Sequence, residues 1–257
     1  FMFIFALIKN DNFPKFLKVT FVCLSFVVIF LSGERTSMLL SLFLLVTYLF
    51  LFKEQKTIKI FRYFIILALI LLSFTLIFSK NYQHRYIFEP LNDLSNNYKV
   101  TNDLLEGYPV EPKIIFFSGL HHNLMITSLR IFDDNKIFGS GPRSYRNECN
   151  KYKINKFSCD RHPHNYYIQL LSETGLIGVS FLILIYIFII KKLYLFYFQN
   201  TKTIDDLKFC FLAFYLAAFW PIIPSGNFFN NWLSIMNFLP LSFYLYLSKK
   251  KITKNEI

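Results

Sequence analysis

Long apolar runs separated by lysine-rich turns constrain this chain more than any other feature of its sequence. With 54% hydrophobic and only 17% charged residues among 257, the chain has too little polar surface for a water-soluble domain of this size. The sequence therefore predicts an all-α, polytopic membrane protein with about six transmembrane helices. The predicted spans cover roughly residues 16–31, 38–52, 63–78, a run ending at 190, 209–223 and 232–247.

Three parts follow from this order of spans. Residues 1–78 hold an N-terminal stub, interpreted as the remnant of an earlier membrane helix in a truncated chain, and three transmembrane helices. Residues 79–165 form one long periplasmic loop with short helices and the candidate active site, and residues 120–132 have the apolar spacing of a helix near the membrane surface. Residues 166–257 hold three more transmembrane helices and a basic cytoplasmic tail.

The net charge of +12 lies largely in short clusters beside apolar runs, which indicates membrane topology and lipid contact rather than nucleic-acid binding. Because positive charge in short loops marks the cytoplasmic side, the lysine-rich turns are expected in the cytoplasm. Alternation of six spans then places three polar segments together on the opposite, periplasmic face. These segments are SGERTS (32–37), the long loop, and SGNFFNN (225–231).

The motif HPHN at residues 162–165 is the sharpest signal for chemistry. Pro163 is expected to hold its neighbours extended and to direct His162 and His164 to one side, while Asn165 caps the following helix. Histidine can accept a proton near neutral pH, so both histidines are candidate catalytic residues. The simpler alternative is a polar helix entrance with two solvated histidines.

A glycine turn, FGSGPRSYR, precedes this motif. Gly139 and Gly141 permit a tight backbone turn, and Arg143 and Arg146 follow them. Arginine grips phosphate oxygens through two parallel hydrogen bonds, so these two side chains are candidate phosphate ligands, and Arg161 is a further candidate. A solvated face or a contact with anionic lipid is the alternative for each.

Two further ionisable residues lie at helix boundaries. Arg35 in SGERTS stands where two spans meet, a costly position for a charge and hence a functional candidate, with interfacial snorkelling beside Glu34 as the alternative. Glu173 lies in the apolar helix that follows HPHN. Its carboxylate can cap a helix, pair with an arginine or orient His164, and the sequence leaves these three options open.

Cys149 and Cys159 share the loop predicted to be periplasmic, where their spacing permits a disulfide that fixes the glycine turn to HPHN. A zinc site with His162 and His164 is the alternative, although the spacings match no zinc module. The pair Asp133–Asp134 is similarly either a divalent-metal ligand or a solvated turn.

Taken together, SGERTS, FGSGPRSYR and HPHNYYIQLLSETGLIG resemble the O-antigen ligase and polymerase superfamily of bacterial inner-membrane proteins, over about residues 32–190. The resemblance implies transfer of a glycan from an undecaprenyl diphosphate carrier to a hydroxyl acceptor, with His164 essential and Arg35 and an arginine of the glycine turn contacting the diphosphate. Family members often carry an arginine about eighteen positions before the GxG glycine. This chain has His121 and His122 there, with Arg130 as a substitute.

Diphosphate is a good leaving group, so one base and a cationic clamp suffice for displacement at the anomeric carbon, without cofactor or metal. The resemblance implies lipid A-core as the acceptor in the ligase branch. A carrier-linked glycan is the acceptor in the polymerase branch, and protein Ser or Thr in a third branch. A transporter or flippase for the lipid-linked glycan is the alternative of another class, but transporters tend to place charges near the bilayer midplane, and this chain keeps its spans nearly free of them.

Overall fold

The computed structural model describes residues 15–51, 66, 69–70, 73–89, 91, 119–153, 158–198 and 206–254. These residues form helices joined by turns, with no strand among them, and the all-α prediction is confirmed to that extent. The N-terminal stub and part of the third predicted span lie outside the described residues. The helices are α1 (Lys15–Leu31), α2 (Arg35–Leu51), α3 (Lys80–Gln83, continued by a π-helical turn His84–Phe88), α4 (Gly119–Asp134), α5 (Tyr145–Tyr152), α6 (Tyr166–Phe198), α7 (Asp206–Ala218) and α8 (Asn231–Lys254).

Helix α6 is the clearest candidate for a membrane span. Among the described residues it alone contains a stretch, Tyr166–Leu195, that is both long and apolar enough to cross a bilayer, and only 17% of its most apolar window is buried. Arg35–Leu44 is a shorter apolar helix. The arrangement of six spans around one periplasmic loop therefore stays a prediction.

The fourth span is predicted to end at residue 190, and α6 continues beyond that point to Phe198, because lysine ends an apolar run but is itself a good helix former. The end of the membrane span itself stays a prediction. The fifth was expected to reach Ile223, yet α7 stops at Ala218. Pro221 disfavours helical backbone in the residue before it, so the chain leaves the helix early.

The chain divides into two compact units. Residues Phe1–Pro90, Ile189–Ala218 and Pro240–Ile257 form the first unit. Residues Leu91–Phe188 and Phe219–Leu239 form the second. The division into parts at residues 78 and 165 stays a prediction about the membrane.

In the first unit, the turn after α1 is held by residues of α3 and its π-helical turn. The Tyr86 hydroxyl donates to the Phe30 carbonyl at 2.8 Å, and Arg85 Nε donates to the Gly33 carbonyl at 2.9 Å. The Phe30 ring also stacks on Tyr86 at 5.2 Å between centroids. These contacts satisfy carbonyl groups that the end of α1 leaves without helical partners.

The second unit is organised around a break in α6. Gly175 has φ 66° and ψ −160°, and the glycine turn lies directly against this break. Four backbone N–H groups donate across the contact: Ser140 to Ser172 and Gly141 to Glu173 from the turn, and Leu176 to Lys136 and Ile177 to Ile137 from the helix, at 2.8–3.4 Å. Backbone groups freed by the break are thus paired again.

Two glycines make this close approach possible. A Cβ atom at Gly139 would lie 2.3 Å from the carbonyl carbon of Glu173, and one at Gly175 would lie 2.3 Å from the carbonyl oxygen of Ile137. Both glycines also have positive φ. Gly139 of the GxG motif therefore lets the backbone of the glycine turn touch the backbone of α6, in addition to permitting the turn itself.

Helix α4 confirms the helix predicted over residues 120–132, whereas α5 was not predicted. The two helices pack through a fully buried cluster formed by Leu124, Ile131, Tyr145 and Cys149. Because α5 has only eight residues and a polar sequence, its apolar spacing gives little signal, and its position depends on this contact.

Replacing Gly139 by alanine is expected to destabilise the protein more than replacing Gly141. Both changes force alanine into positive φ, at a cost of about 1–2 kcal/mol, but a Cβ at Gly141 meets nothing within 4 Å. The additional loss for Gly139→Ala measures the clash with the backbone at Glu173. Thermal unfolding midpoints of the two purified variants decide it, and equal midpoints would contradict the close approach.

Candidate active site

Asn165 fixes the entrance of α6. Its side-chain Oδ1 accepts hydrogen bonds from the N–H groups of Tyr167 at 3.0 Å and Ile168 at 3.1 Å, so the predicted cap is confirmed. Its Nδ2 donates to the carbonyls of Pro221 at 2.8 Å and Ile223 at 3.2 Å. One amide thus joins the HPHN motif to the chain that follows α7.

His164 carries the best-defined side-chain interaction of the motif. Its Nε2 lies 2.9 Å from Oδ2 of Asp160, and this hydrogen bond holds the pKa of the Asp160 carboxyl below its usual value. His164 has φ 58°, so the expectation that Pro163 keeps both its neighbours extended is wrong for this residue. A non-glycine residue in the left-handed region stores strain that is common at functional sites.

Two more imidazoles surround His164. The His162 ring lies 4.1 Å away between centroids, so the two motif histidines do share one side, and the His121 ring of α4 lies 5.4 Å away. Burial lowers the pKa of His162, which keeps this ring neutral near pH 7. His164 and His121 line a small recess of about 10 Å³ together with Asn165, enough for one water-sized group.

The buried carboxylate of Glu173 joins three segments. Its side chain is 1% exposed, and it accepts hydrogen bonds from Tyr145 N at 3.0 Å, Arg143 N at 3.1 Å and Gln169 Nε2 at 3.1 Å. Ser144, which precedes α5, makes no side-chain cap, so Glu173 supplies the acceptor at this helix start. Of the three options left open by the sequence, the structure shows helix capping, because Glu173 accepts from the backbone N–H of Tyr145 at the start of α5. Its hydrogen bond with Arg143 also uses the backbone N–H of that residue.

Gln169 extends this network to the SGNFFNN turn. The fully buried Gln169 donates through Nε2 to Asn227 Oδ1 at 2.9 Å and accepts through Oε1 from Phe228 N at 2.9 Å. The SGNFFNN turn therefore contacts the first turn of α6, directly after HPHN, and its place on the periplasmic face stays a prediction.

Arg143 is committed to the protein itself. Its guanidinium donates to the Phe229 carbonyl through Nε at 3.1 Å and also through Nη2, and Nη2 donates to Asn231 Oδ1 at 3.0 Å. Its backbone also has positive φ, at 62°. This arginine anchors the SGNFFNN turn to the glycine turn.

An open, basic cleft of about 440 Å³ lies beside this anchor. Arg146 and Arg161 border it with exposed guanidinium groups, which make no hydrogen bond or ion pair within the described residues. The cleft has lining residues from three segments of the second unit: Arg143, Arg146, Arg161, Asn227, Phe229, Asn230, Asn231 and Trp232. Three cationic groups around one cavity suit an anion with several oxygen atoms.

A disulfide joins Cys149 of α5 to Cys159, with a Cα–Cα distance of 5.5 Å. The Tyr145 hydroxyl donates to the Ser158 carbonyl at 3.0 Å, which holds the same two segments together. With both sulfur atoms in the disulfide, the zinc alternative lacks its thiolate ligands in this state.

The remaining sequence candidates lie elsewhere. Arg35 belongs to the first unit, where its Nη2 lies 3.7 Å from Glu89 Oε2, so its predicted role beside His164 stays a prediction. Asp133 and Asp134 are exposed, and Asp134 accepts a hydrogen bond from Tyr152. Within the part of the chain that the structure describes, no group of three or more His, Cys, Asp or Glu side chains is placed to hold a metal.

Sequence reasoning missed Asp160 and Gln169. Asp160 stands four residues before His164, a spacing that indicates nothing by itself outside a helix. Gln169 occupies an ordinary position in an apolar helix, and its loop partners Asn227 and Phe228 lie 58 and 59 residues away in the sequence. Both acquire their roles from contacts that the local pattern does not encode.

Replacing Glu173 by glutamine is expected to destabilise the protein by about 1–3 kcal/mol. Both carboxylate oxygens accept from N–H donors, so the NH₂ group of glutamine must face at least one of these donors and leave it without an acceptor. Glu173→Ala should cost more, since all three donors lose their partner. Thermal unfolding midpoints measure both effects, with Asp133→Asn as the control at an exposed carboxylate. A glutamine variant as stable as the control would contradict the capping role.

Comparison with known families identifies the family of this chain. The sequence profile described as O-antigen ligase matches residues 20–183, well over half of the 257 residues and including both the glycine turn and HPHN. Neither curated proteins nor solved structures gave a match. The match confirms the resemblance carried by the three motifs, and the chain belongs to the O-antigen ligase family.

Proposed function

We propose that this protein transfers a glycan from an undecaprenyl diphosphate carrier to a hydroxyl acceptor at the periplasmic face of the bacterial inner membrane, with lipid A-core as the acceptor. One observation carries the proposal: in a member of the O-antigen ligase family, a carboxylate-bound imidazole and an arginine-lined cleft belong to the same compact unit. An imidazole supplies a base, and the cleft supplies charge for a departing diphosphate.

His164 is the proposed base. Its Nε2 is engaged by Asp160, and Nδ1 makes no hydrogen bond within the described residues, so Nδ1 is the nitrogen left to accept a proton. The acceptor oxygen forms a bond to the anomeric carbon while the bond from that carbon to the diphosphate oxygen breaks. The acceptor proton passes to His164, and the electron pair of the broken bond leaves with the diphosphate.

Arg146 and Arg161 are the proposed diphosphate ligands. Both line the cleft and keep their donors uncommitted within the described residues, whereas the Arg143 guanidinium is already bound to the SGNFFNN turn. Arg143 therefore shapes the cleft and adds charge to it. Arg35, which lies at the start of α2 and pairs with Glu89, keeps the diphosphate role that the family resemblance implies as a prediction.

The arginine roles predict different failures for different variants. Arg146→Ala and Arg161→Ala should each raise the KM for the lipid-linked donor about tenfold, the loss of one charge-assisted interaction, with unchanged unfolding midpoints. Arg143→Ala should lower the unfolding midpoint, because the SGNFFNN turn loses its anchor. Lys136→Ala, which removes an exposed cation of the same unit, is the control for net charge. Loss of donor affinity in the control as large as in Arg146→Ala would contradict a specific cleft.

The His164 role predicts a loss of transfer rate in His164→Gln of about 10²–10⁴, the usual contribution of a general base. The measurement uses the full-length protein in lipid vesicles with a lipid-linked glycan donor and purified lipid A-core, without added metal or nucleotide. Asp133→Asn, which changes an exposed side chain of the same unit, is the control. Wild-type transfer by His164→Gln would remove the base assignment.

The products of the same assay distinguish the reactions within the family. Glycan joined to lipid A-core indicates the ligase, and carrier-linked glycans of two or more repeats indicate the polymerase. Glycan on added protein Ser or Thr indicates the third branch. Movement of carrier across the vesicle membrane without a new glycosidic bond indicates a transporter and contradicts the proposal.

A further inference from the structure

We propose that Asp160 is a positioning residue that fixes the orientation and the tautomer of His164, with the proton on Nε2 and the lone pair on Nδ1. The inference rests on the proposed function, because it concerns the group that would take the acceptor proton there. It assigns a role to a carboxylate that the motif HPHN does not include.

The geometry of Asp160 supports this role. Its Oδ2 lies 2.9 Å from His164 Nε2, and its Oδ1 accepts a hydrogen bond from the Arg161 N–H at 2.6 Å. Both carboxylate oxygens are therefore held, so the group has a fixed orientation although it lies at the protein surface. A carboxylate that can only accept selects the imidazole tautomer with hydrogen on the nitrogen that faces it.

Among the residues that the structure describes, no other anion near His164 could do the same. The charged and titratable groups described around its ring are Asp160, His162 from the same segment, and His121 from α4. The hydrogen bond from His164 keeps Asp160 ionised by lowering its pKa, while burial favours neutral His162. Asp160 is thus the group that stabilises the imidazolium after proton transfer.

The same segment connects the base to the anion cleft. The backbone N–H of Arg161 binds Asp160, while its side chain lines the cleft. The sequence DRHPH thus presents a carboxylate for the base and a cation for the diphosphate from neighbouring residues. His164 itself has a left-handed backbone, which turns the chain at the end of this segment.

Asp160→Asn tests the proposal, because an asparagine amide can donate to Nε2 and then favours the tautomer with hydrogen on Nδ1. In the vesicle assay with the full-length protein, kcat should fall about 10–100-fold, with the donor KM unchanged. Asp160→Glu, which keeps the carboxylate, should retain more activity than Asp160→Asn. Asp133→Asn is the control for loss of an exposed carboxylate in the same unit.

The tautomer itself provides a readout independent of activity. In nitrogen-15 spectra of histidine-labelled protein, recorded as the pH is raised until the shifts stop changing, the His164 signals, identified by their loss in His164→Gln, should show hydrogen on Nε2 in the wild type. They should show hydrogen on Nδ1 in Asp160→Asn. A wild-type ring with hydrogen on Nδ1, or an Asp160→Asn ring that keeps the wild-type tautomer, overturns the proposal whatever the rates are.

The two readouts separate the two failures. Full activity in His164→Gln would refute the proposed base, yet the spectra would still support or overturn the tautomer assignment. Reduced kcat in Asp160→Asn with an unchanged tautomer would assign Asp160 a merely structural role and overturn the inference. Should Asp160→Asn fold poorly, the spectra and rates of Asp160→Glu carry the same test, since a carboxylate there must preserve the Nε2 tautomer.

Discussion

One buried carboxylate holds the second unit together. Glu173 accepts three hydrogen bonds from groups that would otherwise be orphaned at the start of α5, in the glycine turn and on Gln169. Leaving such groups without partners away from water costs more than a single hydrogen bond contributes. The conformation of the arginine-bearing turn is therefore tied to the helix that begins directly after HPHN.

The break in α6 explains how a single helix can contribute both to the polar site and to the apolar stretch that follows. Before Gly175, the helix presents Gln169 and Glu173 to the loops, and the Ser172 and Glu173 carbonyls pair with the glycine turn. After Gly175, it continues as the apolar stretch that is long enough to cross a membrane. An apolar helix and a polar site are thus connected through one residue whose backbone only glycine adopts easily.

The features that could be predicted from the sequence depend on contacts between residues that are close together in the chain. The Asn165 cap and helix α4 followed from capping chemistry and apolar spacing. Long-range polar contacts were beyond those rules. The sequence left three roles open for Glu173 because its partners Tyr145 and Arg143 are 28 and 30 residues away in the chain. Arg143 was predicted to bind phosphate, although its hydrogen bond to the Phe229 carbonyl fits an anchoring role better. Asp160 was missed because a carboxylate four residues from a histidine acquires meaning only from the backbone turn between them.

The most direct measurement is a cryo-electron microscopy map of the full-length protein in nanodiscs with bound undecaprenyl diphosphate-linked donor. The account predicts density for the diphosphate within hydrogen-bonding distance of the Arg146 and Arg161 guanidinium groups, with the anomeric carbon nearer to His164 than to any other base. Well-defined diphosphate density away from these arginines, with the cleft filled only by solvent, would contradict it.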